Sequence, residues 1–295
     1  MCKVTIAIPA YKSSFLKDAI DSALAQDHDD IELIIVNDKS PNNLDDIVAR
    51  YNDPRIRYYV NEKNLGKKSI CYNWNKCLEY ATGDFFVLLC DDDVLFPNFV
   101  SSLLKLTKQY PLCNVFHARK INQHEDGSSE SSPLWPTFES GESFADNCLA
   151  KKRLHTVTEF MLRTDYIRHK GGYLIYPTGF YSDTASIMLW ALDGGIASSE
   201  HPLCMFRFSD EHISSNVNPI YNWGKYQAAL QYWEWVKKAP HRDDHIKEIQ
   251  EDVESTFFNA FIGTSWLNRI NMLFGIPNEA VCLKHKLGFL LRAIQ

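Results

Sequence analysis

Apolar and polar positions in the first part of the chain follow two alternating rhythms. Val4-Thr5-Ile6-Ala7-Ile8 is a β-rich run closed by Pro9, which has no N–H for a ladder. Ser13 or Ser14 can then cap a helix through Ala25, with Leu16, Ala19, Ile20, Ala23 and Leu24 on one face. Ile31 to Val36 reads as a second strand, ending at Asn37-Asp38 and a polar turn. A short helix from Leu44 to Arg50 precedes a third strand, Arg55 to Val60. The next helix carries Ile70, Trp74, Cys77, Leu78 and Ala81 on its apolar stripe and stops at Gly83. Asp84 to Cys90 is apolar at consecutive positions, as in a strand covered on both faces.

Strands alternating with helices predict a largely parallel sheet in an α/β domain. Ligands of such sheets sit beyond the carboxyl ends of the strands. Tyr11, Asp38 and the triplet Asp91-Asp92-Asp93 all fall at such ends.

The rest of the chain is less regular. Cys113 to Ile121 predicts a strand, and Gln123 to Ser143 a polar loop, either an active-site lid or an insert. Thr156 to Leu162 reads as a strand, Gly171-Gly172 as a turn, Ser182 to Leu192 as a helix, and Cys204 to Phe208 as a strand. From Tyr221 onward the pattern is helical and aromatic.

Composition changes this picture mainly by exclusion. The 295 residues are 45% hydrophobic and 23% charged, and the net charge of -6 leaves no basic footprint for nucleic acid. The eight cysteines contain no C-x-x-C pair, and several lie in apolar runs, which predicts reduced, buried thiols. With the first strand starting almost at once, no signal peptide is expected, and no apolar stretch approaches the ~20 residues of a membrane span.

Taken together, the ordered motifs resemble family 2 glycosyltransferases of the GT-A fold. They are Val4 to Tyr11, Ile34 to Ser40, Asn64-Leu65-Gly66, Ala81-Thr82-Gly83-Asp84 leading into Asp91-Asp92-Asp93 with Pro97 after, Ser182-Asp183, and Phe206-Arg207-Phe208 with Ser214. The resemblance implies a GT-A catalytic domain over 1–215, with a nucleotide-binding half to about 110 and an acceptor half to 215. Its Rossmann-like, mixed but mostly parallel sheet would be flanked by helices, and 216–295 would form a C-terminal helical extension. The resemblance further implies an inverting transfer from a nucleotide-sugar donor, UDP-linked by preference, to a glycan or lipid-linked acceptor, as in cell-surface polysaccharide synthesis.

By the same resemblance Pro9, Ala10 and Tyr11 border the nucleotide, and Asp38 accepts from a uracil-like base edge. Aligning on Pro97 places Asp91 at the ribose and Asp92 at the principal metal position, with Asp93 as its helper or as an acid leading the next helix. In the family an acid often stands where this chain has Cys90. A leaving pyrophosphate needs its charge neutralised, which Mn²⁺ or Mg²⁺ does as a Lewis acid held by carboxylates and phosphates. Asp183 is implied as the general base, although an acid at a helix start is also an N-cap.

Gly66 is followed by Lys67 and Lys68, which either serve donor phosphates or form a solvated face. Arg207 pairs with the acidic site in this reading, and His212 is a further candidate for a metal shell. The final helix places Leu283, Leu287, Leu290, Leu291 and Ile294 on one side, with Lys284, Lys286 and Arg292 elsewhere. It either docks on the core or on a second subunit, as in a homodimer, or rests on a membrane. The expected location is cytoplasmic, including peripherally at the inner membrane face. The alternatives are a nucleotidyltransferase, against which stands the missing glycine-rich basic loop after the first strand, and a non-catalytic sugar-nucleotide or glycan-binding module.

Overall fold

β1 (Val4–Ala10) runs parallel to β2 (Ile31–Asn37), with Val4 opposite Ile31 and Ala10 opposite Asn37. The computed structural model to which these elements belong describes residues 2–208, 219–238 and 246–262. β3 (Ile56–Val60) continues the parallel arrangement beyond β2, and β4 (Phe85–Leu88) lies parallel to β1 on its other side. The connecting helices are α1 (Leu16–Leu24), α2 (Leu44–Val48) and α3 (Cys71–Tyr80). Strand order therefore reverses between β1 and β4, which opens a crevice beyond their carboxyl ends.

The alternating faces of these strands feed two cores. Ala7, Ile34, Val36, Phe86 and Leu88 pack on α3, whereas Ile6, Ile8, Leu33, Ile35 and Val87 pack on α1. A strand buried on both faces must be apolar at every position, which is why the runs are continuous. Pro9 does not end β1 as expected. It lies within the strand opposite Val36, and β4 pairs only as far as Ala7, so its missing N–H is lost where no neighbour strand needs it.

After β4 come β5 (Val94–Leu95), α4 (Phe99–Gln109), β6 (Val115–Gln123), β7 (Ser129–Ser131), β8 (Phe138–Glu139), α5 (Gly141–Leu149), β9 (Phe160–Arg163), α6 (Thr164–His169), α7 (Ser182–Ala191) and β10 (Ile196–Arg207). β9 is antiparallel to both β4 and β6, and β10 is parallel to β6. The carboxyl ends of β6 and β10 and the start of β9 thus reach the same edge of the sheet as the carboxyl ends of β1 and β4.

Several local expectations are corrected. The segment Gln123 to Ser143 is not an open loop: β6 and β7 form a hairpin across Asp126-Gly127, with Gly127 at φ +83°. Thr156 does not begin a strand; Thr156 and Glu159 form a capping box around a 3₁₀ turn, Val157–Glu159, and β9 starts at Phe160. β10 begins at Ile196 rather than Cys204. The position before α1 is held by Phe15, without a side-chain cap from Ser13 or Ser14. The seven described cysteines are free thiols, five of them buried, as expected.

The aromatic segment after Tyr221 contributes three rings to the core. Tyr226, Tyr232 and Trp233 of α8 (Pro219–Val236) are buried with α7 and with Phe257 of α9 (Ile246–Ile262). No helix among the described residues is long and apolar enough to cross a membrane. The final amphipathic segment and His212 lie outside the described residues.

One turn should be intolerant of any side chain. Gly194 sits at φ +95°, and a Cβ there would lie 2.0 Å from the Leu112 carbonyl oxygen. Gly194→Ala is expected to cost roughly 3 kcal/mol, from backbone strain and backbone overlap together. Urea unfolding measures this, and an unchanged midpoint would show that the turn relaxes freely.

Candidate active site

Beyond β4 the chain passes through Leu89-Cys90 into Asp91-Asp92-Asp93 over the crevice. All three acids are buried, Asp93 completely. Charges so close and so dry need partners, and each finds a different one. Asp91 turns back to the end of β1, where its Oδ2 accepts the backbone N–H groups of Tyr11 and Lys12, both at 2.7 Å. Asp92 is ion-paired with the Lys12 ammonium, which also stands 3.6 Å from Asp91 Oδ1. Asp93 Oδ2 accepts the Thr158 hydroxyl at 2.6 Å, and its Oδ1 accepts the Arg207 backbone N–H at 3.2 Å.

Arg207 closes the far side. Its Nε donates to the Asp92 carbonyl at 3.2 Å, its guanidinium pairs with Asp18, and it stacks 3.8 Å over the Phe15 ring. Arg207 thus meets the acidic turn through hydrogen bonds that each use a backbone atom on one side, while its guanidinium charge is paired with Asp18.

Burial pushes the Asp91 carboxyl up to about 6, with Lys12 pulling it down and Asp92 adding to the rise. Burial, then the neighbouring Asp92, pushes Asp93 up to about 7. A carboxyl group held this way gains most from a second cation nearby. Oxygens of Asp92 and Asp93 and the Cys90 sulfur all lie within 4.8 Å of one another. Burial and the three aspartates push the Cys90 thiol well above its ordinary value, so the sulfur stays protonated and is a poor ligand for a hard cation. The two carboxylates fit Mg²⁺ or Mn²⁺, which take few protein ligands and fill the rest with phosphate and water.

Thr158 owes its place to the capping box beneath it. Glu159 is fully buried and accepts from Lys120 Nζ at 2.8 Å, His117 Nε2 at 3.2 Å and the Thr156 backbone N–H. Thr158 Oγ1 also accepts the Cys90 N–H at 3.1 Å, so one hydroxyl joins the acidic turn to this base. Burial opposes the Glu159 charge, but Lys120 and His117 hold its carboxyl down to about 2 against an ordinary 4.5. His117 is itself lowered from 6.5 by burial. For both groups the unfolded chain binds more protons than the folded one. Their stabilisation is therefore present above the unfolded values and lost on acidification, first below about 6.5 and then from about 4.5 down to about 2. Glu159→Gln should flatten this acid limb in thermal melts. It should also cost about 3 kcal/mol at pH 7, because Lys120 is left buried without its charge partner. A variant whose melting temperature keeps the full acid slope would exclude Glu159 as the source.

On the donor side, Asp38 organises a turn. Its Oδ1 accepts from Asn61 Nδ2 and the Leu65 N–H, both at 2.8 Å, and its Oδ2 from the Gly66 N–H at 2.7 Å. Oδ1 is therefore full and only Oδ2 has a lone pair to spare for a base edge. A Cβ on Gly66 would lie 3.0 Å from Asp38 Oδ2 and press on that carboxylate. Ala10 is fully buried and its carbonyl accepts the Asp38 N–H at 2.9 Å; Pro9 is half-buried, and Tyr11 is 40% exposed. Lys67 is exposed, its N–H bound by Asn64 Oδ1 at 2.8 Å.

Asp183 lies in the first turn of α7, half-buried, with Oδ1 accepting the Thr184 N–H at 2.8 Å. Neither it nor Ser182 is the N-cap. Tyr181 holds that position at φ +62°, and the Ser182 hydroxyl accepts the Tyr176 N–H at 3.1 Å. The loop before α7 is tied to the donor turn: Thr178 bridges Ser69, and its N–H reaches the Lys68 carbonyl at 3.0 Å.

The structure thus joins Tyr11, Asp91, Asp92 and Asp93 directly, and ties Asp38 and Gly66 to them through Ala10. The loop that precedes Asp183, rather than Asp183 itself, is bonded to the donor turn through Thr178. Lys12 and Thr158 were missed by sequence reasoning. Lys12 carries a signal, a cation next to a strand-end motif; Thr158 carries only the capping box two residues before it.

Residues 5–169 match the family described as Glycosyl transferase family 2. A Campylobacter jejuni protein, GalNAc(5)-diNAcBac-PP-undecaprenol beta-1,3-glucosyltransferase, is 32% identical over 154 residues, 51% of this chain and 49% of that protein. The matched stretch spans only 15% and 29% of the length of two Rickettsia glycosyltransferases that are each 35% identical to it. Among solved structures, Staphylococcus aureus TarS 1-349 in complex with UDP-GlcNAc superposes with a TM-score of 0.66 at 16% identity, covering 99% of this chain and 81% of that one. The Pyrobaculum calidifontis mannosyltransferase PcManGT with GDP-Man and Mn²⁺ gives 0.59 at 14% identity, covering 99% and 86%. At these identities the likeness is one of fold.

Proposed function

The chain belongs to glycosyl transferase family 2 and has the GT-A fold, and from that premise we propose that it transfers a sugar from a nucleotide-sugar donor to a glycan or lipid-linked saccharide, with inversion. The observation that carries this reading is the buried acidic turn at the β1/β4 switch point, where Asp92 and Asp93 present oxygens to one small volume. UDP is the favoured nucleotide because TarS 1-349 binds UDP-GlcNAc; the acceptor class follows the undecaprenol-linked substrate in the Campylobacter relative's name.

In this reading Pro9, Ala10, Tyr11, Asp38, Gly66 and Asp91 shape the nucleotide end of the crevice, with Lys67 toward the phosphates. Asp92 and Asp93 would hold Mn²⁺ or Mg²⁺, which supplies charge neutralisation of the diphosphate when bound. Asp183 takes the proton of the acceptor hydroxyl as its oxygen bonds to the anomeric carbon. The bond from that carbon to the diphosphate oxygen breaks, and the diphosphate leaves with the electron pair. Residues 1–215 form the catalytic unit in this reading, and α8 and α9 pack against it. Attachment to the inner membrane face, or to a second copy, would use the amphipathic sequence Leu283 to Ile294.

Screening UDP-, GDP- and TDP-sugars for thermal stabilisation and for hydrolysis or transfer, with and without Mn²⁺, tests the proposal. Cation-dependent stabilisation together with turnover supports it. Binding without turnover favours a non-catalytic module, and no response to any sugar nucleotide rejects both.

A further inference from the structure

We propose that the Lys12 ammonium is the resident counterion of the acidic turn, that a divalent cation must displace it from Asp92, and that the freed ammonium passes to the donor's diphosphate. Cation and nucleotide then bind as a coupled pair. The inference rests on the nucleotide-sugar reading and deepens it.

The backbone of Lys12 is fixed, since its N–H and that of Tyr11 both donate to Asp91 Oδ2 at 2.7 Å. From that anchor the side chain folds across the turn to pair with Asp92 and to stand 3.6 Å from Asp91 Oδ1. Among the described residues Lys12 is the cation on the Asp92 carboxylate. Arg207 meets Asp92 at its backbone carbonyl, and Asp93 is engaged by Thr158 and by the Arg207 N–H. The Lys12 side chain is 18% exposed and that of Asp92 6%, so the pair is largely withdrawn from water and leaving either charge unpaired costs more than in a surface ion pair.

An ammonium and a divalent ion on the same carboxylate repel each other across a poorly screened gap. A cation arriving alone must therefore evict Lys12 into solvent and bears that cost. A nucleoside diphosphate changes the balance because it brings negative oxygens to the same crevice. Lysine suits such a move: a compact charge with rotatable donors on a flexible stem, pairing with phosphate as a point charge. By linkage, whatever UDP adds to cation affinity, the cation adds to UDP affinity. If Lys12 merely neutralised the acids for folding, removing it would alter stability and leave this coupling untouched.

The test is Mn²⁺ binding followed by electron paramagnetic resonance at pH 8, for wild type, Lys12→Met and Lys12→Arg, with and without UDP. Without nucleotide, Lys12→Met should bind Mn²⁺ about tenfold tighter than wild type, while Lys12→Arg stays close to wild type. UDP should raise Mn²⁺ affinity in wild type, and by about tenfold less in Lys12→Met. Lys12→Gln repeats the comparison if the methionine variant lacks a cooperative melt. Unchanged or weaker Mn²⁺ binding in a folded, charge-free variant overturns the counterion role while leaving the nucleotide-sugar reading standing. Absence of Mn²⁺ binding in every protein, UDP included, overturns both the counterion role and the assignment of Asp92 and Asp93 as cation ligands.

Discussion

Asp92→Asn is expected to lower transfer by about 10³-fold and to remove the Mn²⁺-dependent part of sugar-nucleotide stabilisation. The substitution keeps size and hydrogen-bonding shape but removes the charge that Lys12 now compensates. Asp91 is engaged by the Tyr11 and Lys12 amides just after β1 and Asp93 by Thr158 and the Arg207 N–H. Neither is as available to a cation as Asp92 once Lys12 moves. Calorimetry of UDP binding with and without Mn²⁺, beside steady-state transfer, separates the effects: the nucleotide should still bind weakly, but without dependence on the cation. Full Mn²⁺ dependence in Asp92→Asn would shift the principal ligand to Asp93 and sink the assignment made here.

Asp183→Asn is expected to reduce turnover by about 10²–10⁴-fold while donor affinity and melting temperature stay at wild-type values. The structure makes this a clean substitution. The helix is not capped by Asp183, and its one backbone interaction, acceptance of the Thr184 N–H, is available to an asparagine amide oxygen. A structural role therefore predicts almost no change and a general base predicts collapse of turnover. Loss of less than about threefold in kcat would reject the base assignment.

The parallel core was legible because burial on both faces demands apolar residues at every position. Leu33 and Ile35 enter one core while Ile34 and Val36 enter the other, and the resulting run cannot be mistaken for a solvated strand. The β6–β7 hairpin left a weaker trace. Ser129–Ser131 is exposed throughout, so no apolar alternation marks it, and only the Asp126-Gly127 turn signals its presence. Thr156 to Leu162 was misread for the opposite reason: a β-branched run hid a capping box whose threonine and glutamate were in plain spacing.

The sequence by itself determined the alternation of strands and helices, the polar residues at strand ends, and the order of motifs that identifies the family. These are local facts, set by periodicity and residue chemistry over a few neighbouring positions. Only the tertiary structure decided what those end residues hold. Lys12 meets Asp92 across 80 residues, Thr158 meets Asp93 across 65, and Gly66 meets Asp38 across 28. The reversal of strand order beside β1, and the antiparallel entry of β9, bring these partners to one edge of the sheet. Which charge balances which acid follows from that topology and from burial, and neither is written in any short stretch of sequence.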